Sequence, residues 1–403
     1  NDTEKTITMT KTNVESVTYI NLANSLSTDV SLKITDITGI ENFINLTDLG
    51  LSYNNISDIS ALSGLKNLTD LTLSSNKISD ISALSGLTNL KSLDLYWNDI
   101  TDISAVANLI NLKVLNLSSN NVENITPIGS NINLETLCIG SNKVSDIGIL
   151  KNLPKLRILS IEGNNISDIN VLTQLKNLKL LTLGHAGIYY GMGSKITFTS
   201  GSNPLEDENL EVLSKLTGLQ TLYIEVGNAT NIGYLSTLTN LTTLSLSYND
   251  ISDISALSGL TNLTTLSLSY NDISDISALS GLKNLTGLHL SDNNISDISA
   301  LSGLTNLTDL DLSANNISDI SVLSGLTNLR SLRLHNNNIS DISDLSGLTN
   351  LKYLYLHYNN ISDISVISGL TRLEWLYLNH NEIADIRALS GLTNLTDLNL
   401  EDN

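Results

Sequence analysis

The chain has 403 residues, a formal net charge of −20, and 15% charged against 41% hydrophobic side chains. So acidic a balance gives no overall electrostatic footprint for nucleic acid or an anionic membrane, and neither partner is expected. One cysteine, Cys138, excludes an intrachain disulfide scaffold, and no run reaches the roughly 18 apolar residues of a membrane span, so no membrane insertion is expected.

In chain order, residues 1–16 (NDTEKTITMTKTNVES) are polar and read as a strand-like cap. Residues 17–45 form one stretched unit, with Val17, Ile20, Leu22, Ile34, Asp36, Ile37, Ile40 and Phe43 as its framework and seven residues more than the units that follow. At Leu46 a repeat of 22 residues begins, with apolar residues at positions 1, 4, 6, 11, 14, 17 and 20, Asn at 9 and Asp at 13. It recurs at Leu68, Leu90, Leu112, Leu134 and Leu156. The coil Leu178–Gly218 is 41 residues long and carries a Gly-rich insertion near 184–207 with Tyr189, Tyr190, Met192 and Phe198. This segment reads as a projecting loop or hairpin, either a second contact element or a tolerated insertion. The repeat resumes at Leu219, where Gly227 replaces the Asn, and runs through Leu373 to a shortened unit at Leu395. From the start without Met and the stop in mid-repeat, the chain is expected to be a processed or truncated piece. Residues 17–403 are therefore one array of about 16 full coils plus a truncated one, and length alone does not set a domain count.

Leu at 4 and 6 between polar residues is the period-two signature of a short strand with one face buried. The later apolar positions come every third residue, which suits a 3₁₀ or extended return path rather than a long helix. Stacked coils bury one another's apolar edges, because no single unit can bury its own. The expected fold is a leucine-rich-repeat solenoid of the α/β class, a curved right-handed array with a parallel concave β-sheet and a mostly 3₁₀ or extended convex side. Asn at 9 is expected to satisfy turn backbone and pair with the Asn one coil away, and Asp at 13 to cap the following turn.

Positions 3, 5, 7 and 8 should leave the concave face free of folding constraints. Most hold Ser, Thr, Asp or Gly, but the C-terminal coils place Arg333, His335, Tyr353, Tyr355, His357, Tyr358, Trp375, Tyr377 and His380 there. These form the candidate ligand-binding patch, since Tyr, Trp and Arg dominate binding hot spots. Secondary candidates are Tyr53, Tyr96 and Trp97, and Tyr189 and Tyr190 of the insertion. His335 and His357, one period apart, could approach a zinc ion, but nothing completes the ligand set. Asp309 and Asp311 read as a solvated acidic pair rather than a calcium site. No GxSxG, HExxH or GxxxxGK occurs, so no catalytic residues, metal or cofactor are expected and the chain does not read as an enzyme.

The pattern LxxLxLxxNxIxDIxxLxxL at 22 residues resembles the internalin family of bacterial surface proteins over about residues 17–403. The family's DISPL reads DISAL here, with only Pro127 keeping the proline. The resemblance implies recognition of a protein ligand, such as a host or neighbouring-cell surface protein, on the concave face of a secreted or cell-surface bacterial protein, read as a monomer. A glycan ligand stacking on the Trp and Tyr patch is the alternative. So is an intracellular scaffold similar to phosphatase-regulatory subunits, which share a repeat of this length.

Overall fold

The computed structural model describes residues 14–24, 33–184, 203–225 and 228–403. They belong to two compact units, Asn1–Leu205 and Glu206–Asn403. In the first unit eight three-residue strands run from Tyr19–Asn21 to Leu180–Thr182, each parallel to the next. In the second, nine run from Thr221–Tyr223 to Asp397–Asn399. Register follows the repeat, so Leu266 lies opposite Leu288 and Leu288 opposite Leu310. The stretched first coil sets Ile20 opposite Leu49. Of the expected cap, residues 14–16 are described, and Val14 and Glu15 are helical rather than strand-like.

The strands are short because only positions 3 to 5 are extended, yet the ladder reaches further. In the coil at Leu263, both Thr264 and Thr265 donate to the Thr242 carbonyl, at 2.8 and 3.1 Å, and past the strand Leu268 donates to the His289 carbonyl at 2.8 Å. The return path carries 3₁₀ turns such as Ser60–Gly64, whose three-residue rise repeats the apolar spacing at 14, 17 and 20. Leu266, Leu268, Ile273, Ile276, Leu279 and Leu282 of one coil are all buried, one slice of each unit's continuous core.

The position-9 amides satisfy turn backbone as expected, but they do not pair with one another. Asn271 Nδ2 donates to the carbonyls of Leu246 (3.0 Å), Leu268 (3.0 Å) and Ser269 (3.3 Å), and its Oδ1 accepts from Ile251 N–H at 3.0 Å. It therefore pairs with backbone of its own and the preceding coil, not with Asn249. The reason is that the position-6 carbonyl and the position-11 N–H have no ladder partner, and an amide supplies a donor and an acceptor at once. A second ladder, at position 22, escaped the sequence reading. Asn262, Asn284 and Asn306 donate to the carbonyls of Thr239, Thr261 and Lys283, each at 2.9 Å. Asp at 13 accepts from the N–H two residues on, as Asp58 does from Ser60 at 2.8 Å, and so leads into the 3₁₀ turn. That hydrogen bond holds the Asp58 carboxyl below its usual range, as happens at Asp80, Asp253, Asp297, Asp319 and Asp341.

Position 8 is left-handed in coil after coil, at Tyr53, Trp97, Tyr248, Ala314 and Tyr358 among others, and Gly163 takes the same conformation. The turn into Asn at 9 demands a positive φ whatever side chain is present. Ala314, at φ 50°, has no polar group to offset the Cβ–carbonyl crowding. Ala314→Gly is expected to stabilise the protein by about 0.5–1 kcal/mol, the relief exceeding the added chain entropy; an unchanged or lower midpoint in urea would contradict this account of the turn.

The long coil resumes earlier than expected. Asn203 Oδ1 accepts from Ile166 N–H at 3.1 Å, and its Nδ2 donates to Ile161 (2.8 Å) and Leu183 (3.0 Å). Those are the position-9 contacts, so Asn203 is the displaced repeat Asn and Leu205 fills the next core position, fully buried. In the second unit, Asp207–Leu210 forms a short helical turn under a capping box between Glu206 and Asn209. Asp207 there accepts from Thr230 and Asn231, binding the turn to the irregular coil at Leu219.

Candidate functional site

In the second unit the strands Ser331–Arg333, Tyr353–Tyr355 and Trp375–Tyr377 lie side by side. Their in-register pairing places Tyr353 beside Trp375 and Tyr355 beside Tyr377, since positions 3 and 5 both leave the face away from the core. Tyr353 meets Trp375 edge to face at 5.6 Å between ring centres, and Tyr355 meets Tyr377 likewise at 5.1 Å. One residue pair beyond the strands, His335 and His357 stack at 4.3 Å, and on the left-handed turns Tyr358 stacks on His380 at 4.1 Å. His357 also abuts Tyr358 and Tyr377 at 5.7 and 6.3 Å. Ring contacts thus join His335, Tyr355, His357, Tyr358, Tyr377 and His380, with Arg333 added through its guanidinium over Tyr355 at 5.6 Å, while Tyr353 and Trp375 form a separate pair on the same strands.

The charges of the patch are set by neighbours. Arg333 is held by Asp309 at 3.0 Å, and Asp311 accepts from Ser313 N–H and Oγ at 3.0 and 2.6 Å. The acidic pair therefore serves its own strand neighbours. Burial lowers His335, and burial together with His335 and His380 pushes His357 down to about 4. The Nδ1 atoms of both are buried with no hydrogen-bond partner among the described residues. At neutral pH the pair is uncharged, so the patch is an aromatic surface with one guanidinium and polar rims. Burial raises the Tyr355 phenol, and a hydrogen bond to Asp397 raises that of Tyr377, so both are neutral hydroxyls. Among the described residues no three His, Cys, Asp or Glu side chains cluster as a metal would need.

The secondary candidates separate. Trp97 is exposed by 57%, but Tyr96 is buried and its face position offers no contact area, a correction of the sequence reading. Tyr53 lies at a left-handed turn, and Tyr189 and Tyr190 lie outside the described residues. A pair that was not singled out, Tyr248 and Tyr270, stacks in parallel at 4.4 Å on exposed turns. Its sequence signal was available: two tyrosines one period apart at position 8.

Tyr96 is not alone. Across the first unit Asp94, Asn116, Cys138, Ser160 and Thr182 at position 5, with Ser118 and Glu162 at position 7, are all buried. That stretch is not the open face expected of positions 5 and 7. Burial raises Asp94 to about 6 against hydrogen bonds from Tyr96 N–H and its neighbours, and raises Glu162 to about 7 although Ser160 donates to it at 2.5 Å. The Cys138 thiol is pushed up by burial and by these two acids. Room for Glu162 comes from Gly140 one coil earlier, where a Cβ would collide with the carboxylate.

The leucine-rich-repeat region family model matches residues 49–303, and the two-copy leucine-rich-repeat model matches 283–325, 327–369 and 371–403. An internalin from Listeria monocytogenes is similar at 31% identity and TM-score 0.53, over 98% of this chain and 90% of that one. A leucine-rich-repeat protein of Leptospira interrogans is similar at 25% identity and TM-score 0.77, over 96% and 97%. The ectodomain of a plant membrane receptor kinase from Arabidopsis thaliana, in complex with Casparian strip integrity factor 2, shares the fold at 24% identity and TM-score 0.57, over 90% of this chain and 48% of that one. No curated protein matches.

Proposed function

The chain belongs to the leucine-rich-repeat family in its internalin-like form, and from that premise we propose that it is a bacterial surface or secreted recognition protein whose aromatic patch binds a protein ligand. Stacked-repeat folds serve as extended binding surfaces rather than as enclosed reaction sites. The observation that carries the reading is the network of ring contacts joining His335, Tyr355, His357, Tyr358, Tyr377 and His380, with the Tyr353–Trp375 pair on the same strands. Five of the chain's 17 Phe, Trp and Tyr residues fall on the two adjacent coils from Leu351 and Leu373, outside the Leu and Ile core, with His335, His357 and His380 beside them. Rings that brace one another are pre-organised, so little side-chain entropy is lost when a partner settles on them. Arg333, already oriented by Asp309, adds a directed donor pair for a carbonyl or carboxylate of the ligand.

The test is a binding screen of the purified chain against cell-surface proteins and glycans beside a variant carrying Tyr355→Ala, Trp375→Ala and Tyr377→Ala. Loss of at least about tenfold in affinity for a protein ligand, with the melting temperature unchanged, is the expected result. A ligand retained by the variant would move the site elsewhere. A patch-dependent ligand abolished by free glycan would make the partner a carbohydrate.

A further inference from the structure

We infer that the strand-entry edge of the first unit is a binding ridge for a linear anionic polysaccharide, a chain that carries sulfate, phosphate or carboxylate groups together with free hydroxyls. This surface is separate from the aromatic patch and does not depend on it.

The net charge of −20 conceals a strong segregation by repeat position. From Leu46 onward, positions 21, 22 and 2, which flank the first Leu of each coil, hold 11 of the chain's 21 Lys and Arg but only 2 of its 41 Asp and Glu. Core packing does not require this, since the equivalent residues elsewhere are Thr and Asn. In the first unit the backbone brings them into line. Lys113 N–H donates to the Lys91 carbonyl, Glu135 to Lys113 and Arg157 to Glu135, each at 2.8 Å. Side chains on successive coils therefore leave from points about 4.8 Å apart. Lys91, Lys113, Lys155 and Arg157 are exposed. One groove along this edge is lined by Lys91 and Lys113 with Thr69, Asn89, Asn111 and Asn133, and the next by Lys155 and Arg157 with Glu135 and Asn177.

The polar residues between the cations fit a sugar. Asn89, Asn111 and Asn133 each donate Nδ2 to a carbonyl of the preceding coil, at 2.9, 2.9 and 3.1 Å. Each amide is thereby anchored, and its oxygen is a positioned acceptor for a hydroxyl. Lys155 already uses one such oxygen, donating to Asn133 at 2.8 Å. The single acid, Glu135, faces Lys113 at 3.6 Å across two exposed side chains, a weak pairing that a more densely charged partner would displace. No aromatic side chain occupies these positions, so there is no stacking platform for nucleic-acid bases. The exposed large apolar side chains along it are Ile44, Ile110 and Ile132, short of the continuous apolar face that seats an element in a bilayer interface. Repeated cations with hydroxyl acceptors between them match an acidic glycan lying along the array.

The probe is heparin of defined length, titrated with the full chain by calorimetry at several salt concentrations. Binding should weaken steeply as salt rises. The triple variant Lys91→Ala, Lys113→Ala, Arg157→Ala should lose at least about tenfold in affinity, whereas Trp375→Ala should bind heparin as the parent does. All four positions are exposed, and an unchanged thermal midpoint shows that the variants remain folded. Replacement of the same two lysines by Arg should retain binding, since the charge is kept. Heparin affinity unaffected by the triple variant, equal retention of neutral dextran, or tighter binding to phosphatidylserine vesicles or single-stranded RNA than to heparin would each overturn the inference.

Discussion

Asn271→Ala is expected to destabilise the second unit by about 3 kcal/mol, while Tyr355→Ala leaves stability within about 1 kcal/mol of the parent. The difference lies in what each change leaves behind. Ile251 N–H is buried and has Asn271 Oδ1 as its acceptor, so the alanine orphans a donor that water does not reach. The Leu246 and Leu268 carbonyls suffer less, because Asn249 and Asn293 still donate to them at 2.9 and 3.0 Å. The cost is therefore dominated by one unsatisfied N–H and by the loss of the staple between successive coils. Tyr355 instead packs on the outer face against Tyr377 and Arg333, and its removal opens no cavity in the core. Denaturant midpoints give the comparison, and amide exchange supplies the local check, since the Ile251 amide should lose protection in the Asn271 variant. Equal destabilisation by the two substitutions would mean that the assignment of buried turn and free face is wrong.

Glu162→Gln is expected to stabilise the protein by about 3 kcal/mol at pH 8 and to have little effect at pH 4. Glu162 ionises at about 7 in the fold against 4.5 ordinarily, because burial disfavours its charge more than the Ser160 hydroxyl supports it. Between those values the folded state holds a proton that the unfolded state has released. Stability therefore falls as pH rises through that window, and the deficit is complete above about 7. A glutamine accepts the same Ser160 hydrogen bond and carries no charge at any pH, so the difference between parent and variant isolates this one group. Asp94, raised to about 6, contributes in the same direction. The position-13 aspartates act oppositely: their carboxyls are lowered by hydrogen bonds from the N–H groups they lead, so their contribution is lost only in acid below the ordinary carboxylate range. A pH-independent difference between parent and variant, or destabilisation at pH 8, would show that Glu162 is ionised and well served where it sits.

Much of this architecture was legible in the residues alone, for a definite reason. A period of 22 with Leu and Ile at seven fixed positions leaves one way to bury every apolar side chain, and in-register stacking follows from repetition. The aromatic patch was legible too, because register converts residues one period apart into neighbours, as with His335 and His357. The displaced Asn203 was not, because its partners Ile161, Ile166 and Leu183 are distant in sequence and no local pattern marks it among the residues of a long insertion. Tyr96, Asp94 and Glu162 were misread for a related reason. Alternation states which face of a strand a side chain takes, and says nothing of whether that face meets water.

The sequence by itself thus determined the strand-and-turn unit, its parallel stacking, the apolar core and the chain of rings on the last coils, because each depends only on spacing within one repeat or between adjacent repeats. Tertiary structure decided where the position-9 amides find their partners, which turns bear positive φ, and which acids are buried and pushed up toward neutral pH. Those properties belong to surroundings assembled from several coils, and burial and hydrogen bonding exist only once the coils have stacked.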